Sequence, residues 1–237
     1  MKKLAILAVI GVFAIAGASQ AALIQIDLGD TSNVYDGNNA PYQDEQGDTS
    51  GTSTWNGIGG GDSGVGLSDS EGNALSGVTA SAPGSDGGGT GYSGDPIGNA
   101  MSEDYVKLGN GGANDDETYG TVTISGLAAG TYTVYVIASD INTGSTKDVR
   151  FAVNDTNWVT IDDSGSPEDD SWTQGPTNGN YNKRDVTLTS GQDMEIRFQH
   201  GNGLNPFSGI QIIPEPATMV LLGLGGIGVL LRRRRRS

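Results

Sequence analysis

The chain has 237 residues with 39 glycines, 8 prolines, one histidine and no cysteine, which suits one all-β domain plus processing segments. Between Ala22 and Ile213 there are 27 acidic and 6 basic residues, a surplus of 27 − 6 = 21 negative charges, and such a body repels nucleic acid and anionic lipid. Without cysteine it can have no disulfide, thiolate metal site or cysteine nucleophile, so stability must come from packing and from any bound ions.

Residues 1–22 have the pattern of a secretory signal peptide. Two lysines follow the first methionine, and an apolar run extends from Leu4 to Ala16. Small residues at 16–21 then offer two small-x-small patterns for signal peptidase, and we expect cleavage between Ala18 and Ala22. An uncleaved anchor helix is the alternative.

Residues 29–100 are rich in Gly, Ser, Asp and Asn, a composition typical of a disordered linker. Three features oppose that interpretation. A strand is predicted at Leu23–Leu28, an aromatic side chain lies in mid-loop at Trp55, and residues 67–73 followed by 78–80 indicate a hairpin. Within this region, the glycine-dense stretch 81–94 is predicted to be a mobile loop.

The rest of the body alternates apolar and polar residues with a period of two. Strands with one solvent-facing side are predicted at Thr121–Ser125 and Val149–Val153, and further strands around 186–188, 194–198 and 210–212. Tyr132–Ala138 is apolar on both faces apart from Thr133, so it is predicted to be a central strand. No amphipathic helix is predicted between residues 23 and 213. Turn signals at 126–130, 142–144, 154–155, 190–192 and 202–203 complete the pattern of an antiparallel sandwich.

The C-terminal residues form a segment in three parts. Pro214-Glu215-Pro216 precedes an uncharged apolar stretch at 217–231, and then come five arginines: Arg232, Arg233, Arg234, Arg235 and Arg236. The stretch is shorter than the ~20 residues that cross a bilayer comfortably, but snorkelling arginines and local thinning can absorb the difference. The arginine cluster predicts that this end stays in the cytoplasm while the body lies outside.

This combination resembles the PEP-CTERM signal that exosortases recognise. The resemblance implies a transient inner-membrane anchor that is cut at or near Pro214-Glu215-Pro216, after which the protein passes to the cell surface or the extracellular matrix. It also implies an exopolysaccharide-producing Gram-negative envelope. Signal peptidase and exosortase are then the processing partners, and an ordinary C-terminal membrane anchor is the alternative.

A series of short motifs runs through residues 23–213. The positions are Asp27 and Gly29; Trp55 and Asn56; Leu67, Asp69, Ser70 and Gly72; Ser125-Gly126-Leu127 with Tyr132 and Tyr135; and Ser208-Gly209-Ile210-Gln211-Ile212. Together they resemble the galactose-binding-like jelly-roll domains of exported bacterial proteins. The glycine-dense stretch 81–94 is an insertion relative to the pattern of those domains. Similar domains accompany carbohydrate-active and esterase modules, and many stand alone with no known activity.

Few residues are candidates for catalysis. A serine triad needs a histidine base, and the single His200 lies at a predicted strand end, with no Gly-x-Ser-x-Gly elbow in the chain. We interpret it as a surface histidine. Glycoside hydrolysis needs two carboxylates, but no segment singles out a pair, so we expect no enzymatic activity. A glycan-active hydrolase that uses a carboxylate pair is the alternative.

Acidic loops are candidates for binding Ca²⁺, which prefers oxygen ligands. The candidate ligands are Asp162, Asp163, Glu168, Asp169 and Asp170, and similar loops occur at 114–117 and 140–144. None of the three fits an EF-hand. A solvated acidic loop is the alternative.

Aromatic side chains in or beside predicted loops are candidates for stacking on sugar rings, next to Asn, Asp and Gln side chains that bind hydroxyls. They are Trp55, Trp158, Trp172, Tyr92 and Tyr181. Packing in the core or at a hinge is the alternative for each tryptophan, because tryptophan is highly buried on average.

The sequence therefore predicts a signal peptide at 1–22, a β-sandwich domain at 23–213 and a sorting signal at 214–237. The fold class is all-β: one antiparallel jelly-roll-like sandwich, with a signal helix before it and a transmembrane helix after it. The predicted function is that of an exported, exosortase-sorted surface or matrix protein without catalysis, with polysaccharide as the candidate ligand. A structural matrix component without a discrete ligand is the alternative.

Overall fold

The structure is a computed structural model that describes residues 22–29, 31, 34–35, 37, 40–47, 51–82, 106–107, 120–138, 147–163, 172–175, 179–200 and 206–215. In these ranges the chain forms one short helix and thirteen strands. They are β1 (Ile24–Leu28), α1 (Pro41–Gln46), β2 (Asn56–Ile58), β3 (Val65–Ser68), β4 (Ala74–Ser81), β5 (Val106–Lys107), β6 (Thr121–Ser125), β7 (Gly130–Ile137), β8 (Lys147–Val153), β9 (Val159–Asp163), β10 (Tyr181–Leu188), β11 (Met194–His200), β12 (Pro206–Phe207) and β13 (Gly209–Pro214).

The strands form two main sheets. One has five strands in the order β10-β7-β13-β1-β2, and the other has six in the order β3-β4-β6-β11-β8-β9, while β5 and β12 form a separate two-stranded ladder. Among the described strand pairs, β1 and β2 run parallel and the others run antiparallel. The all-β sandwich predicted from the sequence is confirmed, and its two main sheets are mostly antiparallel, with β1 and β2 as a parallel pair.

One hydrophobic cluster joins the inward faces of both sheets. Alternate residues of a strand point to opposite faces, and the inward set includes Ile24, Ile26, Val134, Val136, Ile210 and Ile212 from the first sheet and Val122, Ile124, Val149, Phe151, Ile196 and Phe198 from the second. The rings of Phe198 and Phe207 lie 4.3 Å apart between centroids. Burial of this apolar surface is the main stabilising force in a chain without disulfides.

Strand β7 has the central position that its sequence predicted. It lies between β10 and β13, and its residues 134–137 are buried on both faces of the sheet. One face meets the shared core, and the other is covered by residues outside the strands. That covered outer face is where the candidate functional site lies.

Helix α1 was not among the predicted elements; the expectation for residues 23–213 concerned amphipathic helices, and this short helix was missed. The helix has only six residues, too few for a 3.6-residue period to stand out, and it begins at Pro41, a residue that favours the first helical position. Isolated helices of this length are not stable in water. Contacts with the sheet must therefore hold α1 in place.

Asn56 connects the two sheets beside this helix. Its side-chain nitrogen donates to the backbone oxygens of Gln25 in β1 (2.8 Å) and Ser68 in β3 (2.9 Å). Its side-chain oxygen accepts from the backbone nitrogen of Ser68 at 2.8 Å. These three bonds fix the β3–β4 hairpin against the edge of the five-stranded sheet.

Several predicted segments lie outside the described residues. They are residues 1–21 of the signal segment, the apolar stretch 217–231, and the glycine-dense loop apart from Ser81, which ends β4, and Ala82. Among the residues that the structure does describe, no helix has the length and apolar character needed to cross a membrane. The signal and transmembrane helices remain predictions.

Candidate functional site

The outer face of the five-stranded sheet carries a second cluster of buried side chains, mostly aromatic. We call it the outer aromatic cluster: Tyr35, Ala40, Trp55, Tyr135, Ile137, Trp172 and Tyr181. Ring centroids lie 5.3 Å apart for Tyr35 and Trp55, 5.9 Å for Tyr135 and Tyr181, and 6.4 Å for Trp172 and Tyr181. The segments around α1 thus cover a face that would otherwise meet water.

Three buried glutamines connect α1 to the sheet, and we call them the glutamine network. Gln43 of α1 donates to Oε1 of Gln25 in β1 (2.5 Å), and Gln211 of β13 donates to Oε1 of both Gln25 (2.9 Å) and Gln43 (2.6 Å). Nε2 of Gln25 donates onward to Oγ of Ser53 (2.5 Å) and to the backbone oxygen of Thr54 (3.2 Å). One polar network therefore fixes both the helix and the loop before β2.

Glu45 attaches the other side of α1 to strands β7 and β10. Its carboxylate accepts hydrogen bonds from Oη of Tyr135 (2.7 Å), from Oη of Tyr181 (2.9 Å) and from Nζ of Lys183 (2.7 Å and 2.8 Å). Burial raises the pKa of Glu45, but hydrogen bonds from Lys183, Tyr135 and Tyr181 outweigh it and hold the pKa below its ordinary value. Burial, and then the bond to Glu45, raise the pKa of Tyr135, so this hydroxyl remains a donor.

We expect Glu45→Gln to reduce the free energy of unfolding at pH 7 by about 1 kcal/mol, because the ion pair with Lys183 is partly screened by solvent. A lowered folded-state pKa stabilises the fold above the ordinary value of 4.5 and loses that contribution as the pH falls below it. Urea denaturation between pH 7 and pH 3 should therefore show a smaller loss of stability for the variant than for the wild type.

The matched control for this experiment is Glu195→Gln, which removes an exposed ion pair with Arg197 on the six-stranded sheet. We expect it to change stability at pH 7 by less than about 0.5 kcal/mol. Parallel stability curves for wild type and Glu45→Gln below pH 4.5 would contradict the role given to Glu45.

An open groove with two lobes runs beside α1 and the β3–β4 turn; we call it the two-lobed groove. The larger lobe has a volume of about 660 Å³ and is lined by Val34, Tyr35, Thr52, Ser53, Thr54, Trp55, Ser70 and Glu71. The smaller lobe has a volume of about 350 Å³ and is lined by Leu23, Tyr42, Gln43, Gln46, Thr52, Ser53 and Ser70. Since Thr52, Ser53 and Ser70 belong to both lobes, the lobes adjoin.

The walls of the groove are held by hydrogen bonds at several points. Thr54 N donates to the backbone oxygen of Ser70 (3.0 Å), and Ser70 N donates to that of Leu23 (2.9 Å). In the turn itself, Oδ1 of Asp69 accepts from the backbone nitrogen of Glu71 at 3.0 Å. The groove is thus a preformed surface, and little ordering is needed when a ligand binds.

The lining of the groove combines three kinds of polar group with aromatic side chains. Hydroxyls come from residues 52, 53, 54 and 70, amides from Gln43 and Gln46, and one carboxylate from Glu71, with aromatic side chains at both lobes. Hydroxyls and amides both donate and accept hydrogen bonds. Tyr35 and Trp55 are each 6 % exposed, so half-buried Tyr42 is the aromatic lining residue best placed to pack against an apolar ring face. This chemistry suits a neutral ligand with many hydroxyl groups.

The predicted glycan-stacking residues lie in different parts of the domain, and among those that the structure describes Trp55 lines the groove. Trp55 lines the larger lobe, is 6 % exposed, and donates from Nε1 to the backbone oxygen of Gly37 at 3.1 Å. Trp172 and Tyr181 are buried in the outer aromatic cluster and do not line the groove. Trp158 is half-buried just before β9, and Tyr92 lies outside the described residues.

The predicted calcium ligands are only partly described. The backbones of Asp162 and Asp163 lie in strand β9, where they pair with Asp148 and Lys147, instead of in a loop. Glu168, Asp169 and Asp170 lie outside the described residues, as do the loops at 114–117 and 140–144. Across the described part of the chain, no three His, Cys, Asp or Glu side chains come together in a group that could hold a metal. Calcium binding stays a prediction.

The sorting motif follows the fold directly. Pro214 is the last residue of β13, Glu215 is the next described residue, and Pro216 and Arg232–Arg236 lie outside the described ranges. Residues 213–236 match the family model of the PEP-CTERM protein-sorting motif. The chain carries a PEP-CTERM sorting motif. This confirms the predicted PEP-CTERM motif, and the motif implies an exported protein that exosortase processes and that reaches the cell surface.

Beyond the PEP-CTERM motif, no curated protein matches this chain in sequence. Among solved structures, an exo-beta-1,3-galactanase from Phanerochaete chrysosporium is 20 % identical, with a TM-score of 0.29 over 56 % of this chain and 26 % of the enzyme. The ANX2 ectodomain from Arabidopsis thaliana is 13 % identical, with a TM-score of 0.37 over 81 % and 51 %. TmCBM61, solved in complex with beta-1,4-galactotriose, is 12 % identical, with a TM-score of 0.22 over 58 % and 78 %. The chain thus spans about a quarter of the galactanase.

Proposed function

We propose that this protein is a non-catalytic, polysaccharide-binding component of the bacterial cell surface or extracellular matrix. Signal peptidase cleaves between Ala18 and Ala22, the apolar stretch 217–231 anchors the chain transiently in the inner membrane, and exosortase releases it at the PEP-CTERM motif. The β-sandwich domain then binds polysaccharide in the two-lobed groove. The observation that carries the proposal is the lining of this groove by hydroxyl, amide and aromatic side chains.

We also propose that the domain is a jelly roll. Eight strands, β1, β6, β7, β8, β9, β10, β11 and β13, make up two blocks of four, and the blocks have the orders β1-β13-β7-β10 and β6-β11-β8-β9. If the eight strands are numbered along the chain, the orders become 1-8-3-6 and 2-7-4-5. Eight strands wound alternately into two sheets support a jelly roll, an architecture that lectin domains use.

The proposal assigns binding without cleavage. Glycosidases need two carboxyl groups that flank the scissile bond, and among the described lining residues of the groove Glu71 is the single acid. The nearby carboxylate of Asp69 accepts hydrogen bonds from the backbone nitrogens of Glu71 (3.0 Å) and Asn73 (2.8 Å). These bonds hold the Asp69 side chain in the turn.

The proposal is tested by removing two hydroxyls that both lobes share. We expect the double variant Thr52→Ala/Ser70→Ala to bind polysaccharide from the producing bacterium at least about tenfold more weakly, since each lost hydrogen bond contributes ~1 kcal/mol. Affinity electrophoresis of the exported protein in gels that contain this polysaccharide measures the change.

The matched control is Thr156→Ala/Ser76→Ala, which removes the same two hydroxyl types at exposed positions that do not line the groove. The control should bind like the wild type. If the wild type is not retarded by any polysaccharide, the protein is a structural matrix component instead. If both double variants bind equally, the groove is not the site.

A further inference from the structure

The two adjoining, open lobes of the groove determine which part of a polymer chain it can hold. Each lobe alone lies within the ~300–1,000 Å³ of ordinary small-ligand sites, and both lobes are open to solvent. Trp55 and Glu71 line the larger lobe alone, Tyr42 and Gln46 line the smaller lobe alone, and Ser53 lines both. Because both lobes are open to solvent, a chain that occupies both can pass over Ser53 without ending inside either lobe.

Electrostatics limit the charge of the ligand. The domain carries 21 more acidic than basic residues, and Glu71 places a negative charge in the groove itself. Three of the described basic side chains are held in ion pairs and do not line the groove: Lys183 pairs with Glu45 at 2.7 Å, Arg184 with Asp155 at 2.5 Å, and Arg197 with Glu195 at 2.8 Å. None of the described lining residues is basic, so a polyanion would meet repulsion without a compensating cation.

From this shape and charge we infer that the groove binds an internal segment of an uncharged polysaccharide, with neighbouring sugars in the two lobes. The inference rests on the proposed function and names the class of ligand. It excludes polyuronates as ligands, and it excludes recognition of a chain end alone.

The charge of the ligand is tested by affinity electrophoresis of the exported protein at low ionic strength, where electrostatic repulsion is screened least. The gels contain a neutral galactan, glucan or mannan, the polyuronates alginate or polygalacturonate, or the producing cell's own polysaccharide. At least one neutral polymer should bind at least about tenfold more tightly than either polyuronate. Tighter binding to a polyuronate would overturn the inference and leave the proposed function standing. No binding to any polymer would overturn both.

Whether the groove binds internal segments of the polysaccharide or its chain ends is tested by stoichiometry. Sedimentation of the exported protein with size-fractionated neutral polymer should show bound copies per chain rising with chain length and exceeding two. Recognition of chain ends allows at most two copies at any length, and that result would overturn the inference while polysaccharide binding stands.

The use of both lobes is tested with one exposed side chain from each. Glu71→Ala alters the larger lobe and Gln46→Ala the smaller, and each should weaken binding of the neutral polymer about three- to tenfold. The control variants Glu195→Ala and Ser76→Ala lie outside the groove and should bind like the wild type. If one lobe variant also binds like the wild type, a two-lobe ligand is overturned although glycan binding remains.

Discussion

Replacing Gly126 with alanine is expected to lower the free energy of unfolding by about 2–5 kcal/mol. Gly126 follows β6 with a φ of 83°, a left-handed conformation that costs an ordinary residue ~1–2 kcal/mol. An added Cβ would lie 2.0 Å from the backbone oxygen of Gly77, and because Gly77 belongs to β4 this atom cannot move aside without disturbing the sheet. Overpacking of this kind costs a further ~1–3 kcal/mol. Urea denaturation monitored by tryptophan fluorescence measures the change.

Gly191→Ala is the matched control, because it separates the two costs. Gly191 has a φ of 75°, but a Cβ there would meet no atom within 4 Å. The Gly191→Ala variant should therefore lose only ~1–2 kcal/mol of the free energy of unfolding, through backbone strain. Equal losses for the two variants would show that the approach of Gly126 to β4 contributes nothing.

The packing of Gly126 gives a structural meaning to one of the family-like motifs. Ser125-Gly126-Leu127 resembles the turn of galactose-binding-like domains, and here its glycine is required by close contact with the neighbouring strand. Asn56, from a second motif, likewise connects the two sheets through Gln25 and Ser68. Gly126 and Asn56 thus specify the fold, whereas Trp55, the other residue of the second motif, lines the groove.

The strands with regular alternation could be predicted because their pattern is local. Thr121–Ser125 alternates threonine and serine with aliphatic side chains, and the structure has β6 over those same residues, with Val122 and Ile124 buried. The long apolar run in β7 likewise predicted a strand buried on both faces. In each case the strand's own residues contain the information.

The glutamine network and α1 could not be predicted because their partners are distant in sequence. Gln25 and Gln211 occupy outward positions of β1 and β13, which a period of two assigns to solvent. They are fully buried because α1 covers them, and their mutual hydrogen bond joins residues 186 positions apart. The groove was missed for the same reason: its lining residues come from separate segments between Leu23 and Glu71, and Trp55 was the one lining residue among the predicted sugar contacts.

The glutamine network leads to the second large effect: Gln211→Leu should lower the free energy of unfolding by about 2–4 kcal/mol. Leucine has a similar size but removes the Gln211 partner of three groups. Oε1 of Gln25 keeps its bond from Gln43, whereas Oε1 of Gln43 (2.6 Å) and the backbone nitrogen of Tyr42 (3.0 Å) are left without the Gln211 bond. Each buried polar group left unsatisfied costs ~1–3 kcal/mol. The loss should appear as a lower urea midpoint with weaker polysaccharide binding, because Tyr42 and Gln43 line the smaller lobe.

Two comparisons decide whether burial of the network causes the loss. Gln192→Leu makes the same change in an exposed turn, where Gln192 accepts hydrogen bonds from Thr189 N and Oγ1 at 3.0 Å. Because water can replace those bonds, the free energy of unfolding should fall by less than about 1 kcal/mol. The double variant Gln43→Leu/Gln211→Leu removes both members of a buried pair, so it should cost at least about 1 kcal/mol less than the two single losses together. Strict additivity would mean that the glutamines stabilise the fold independently, and then α1 would have to be held by Glu45 and aromatic packing alone.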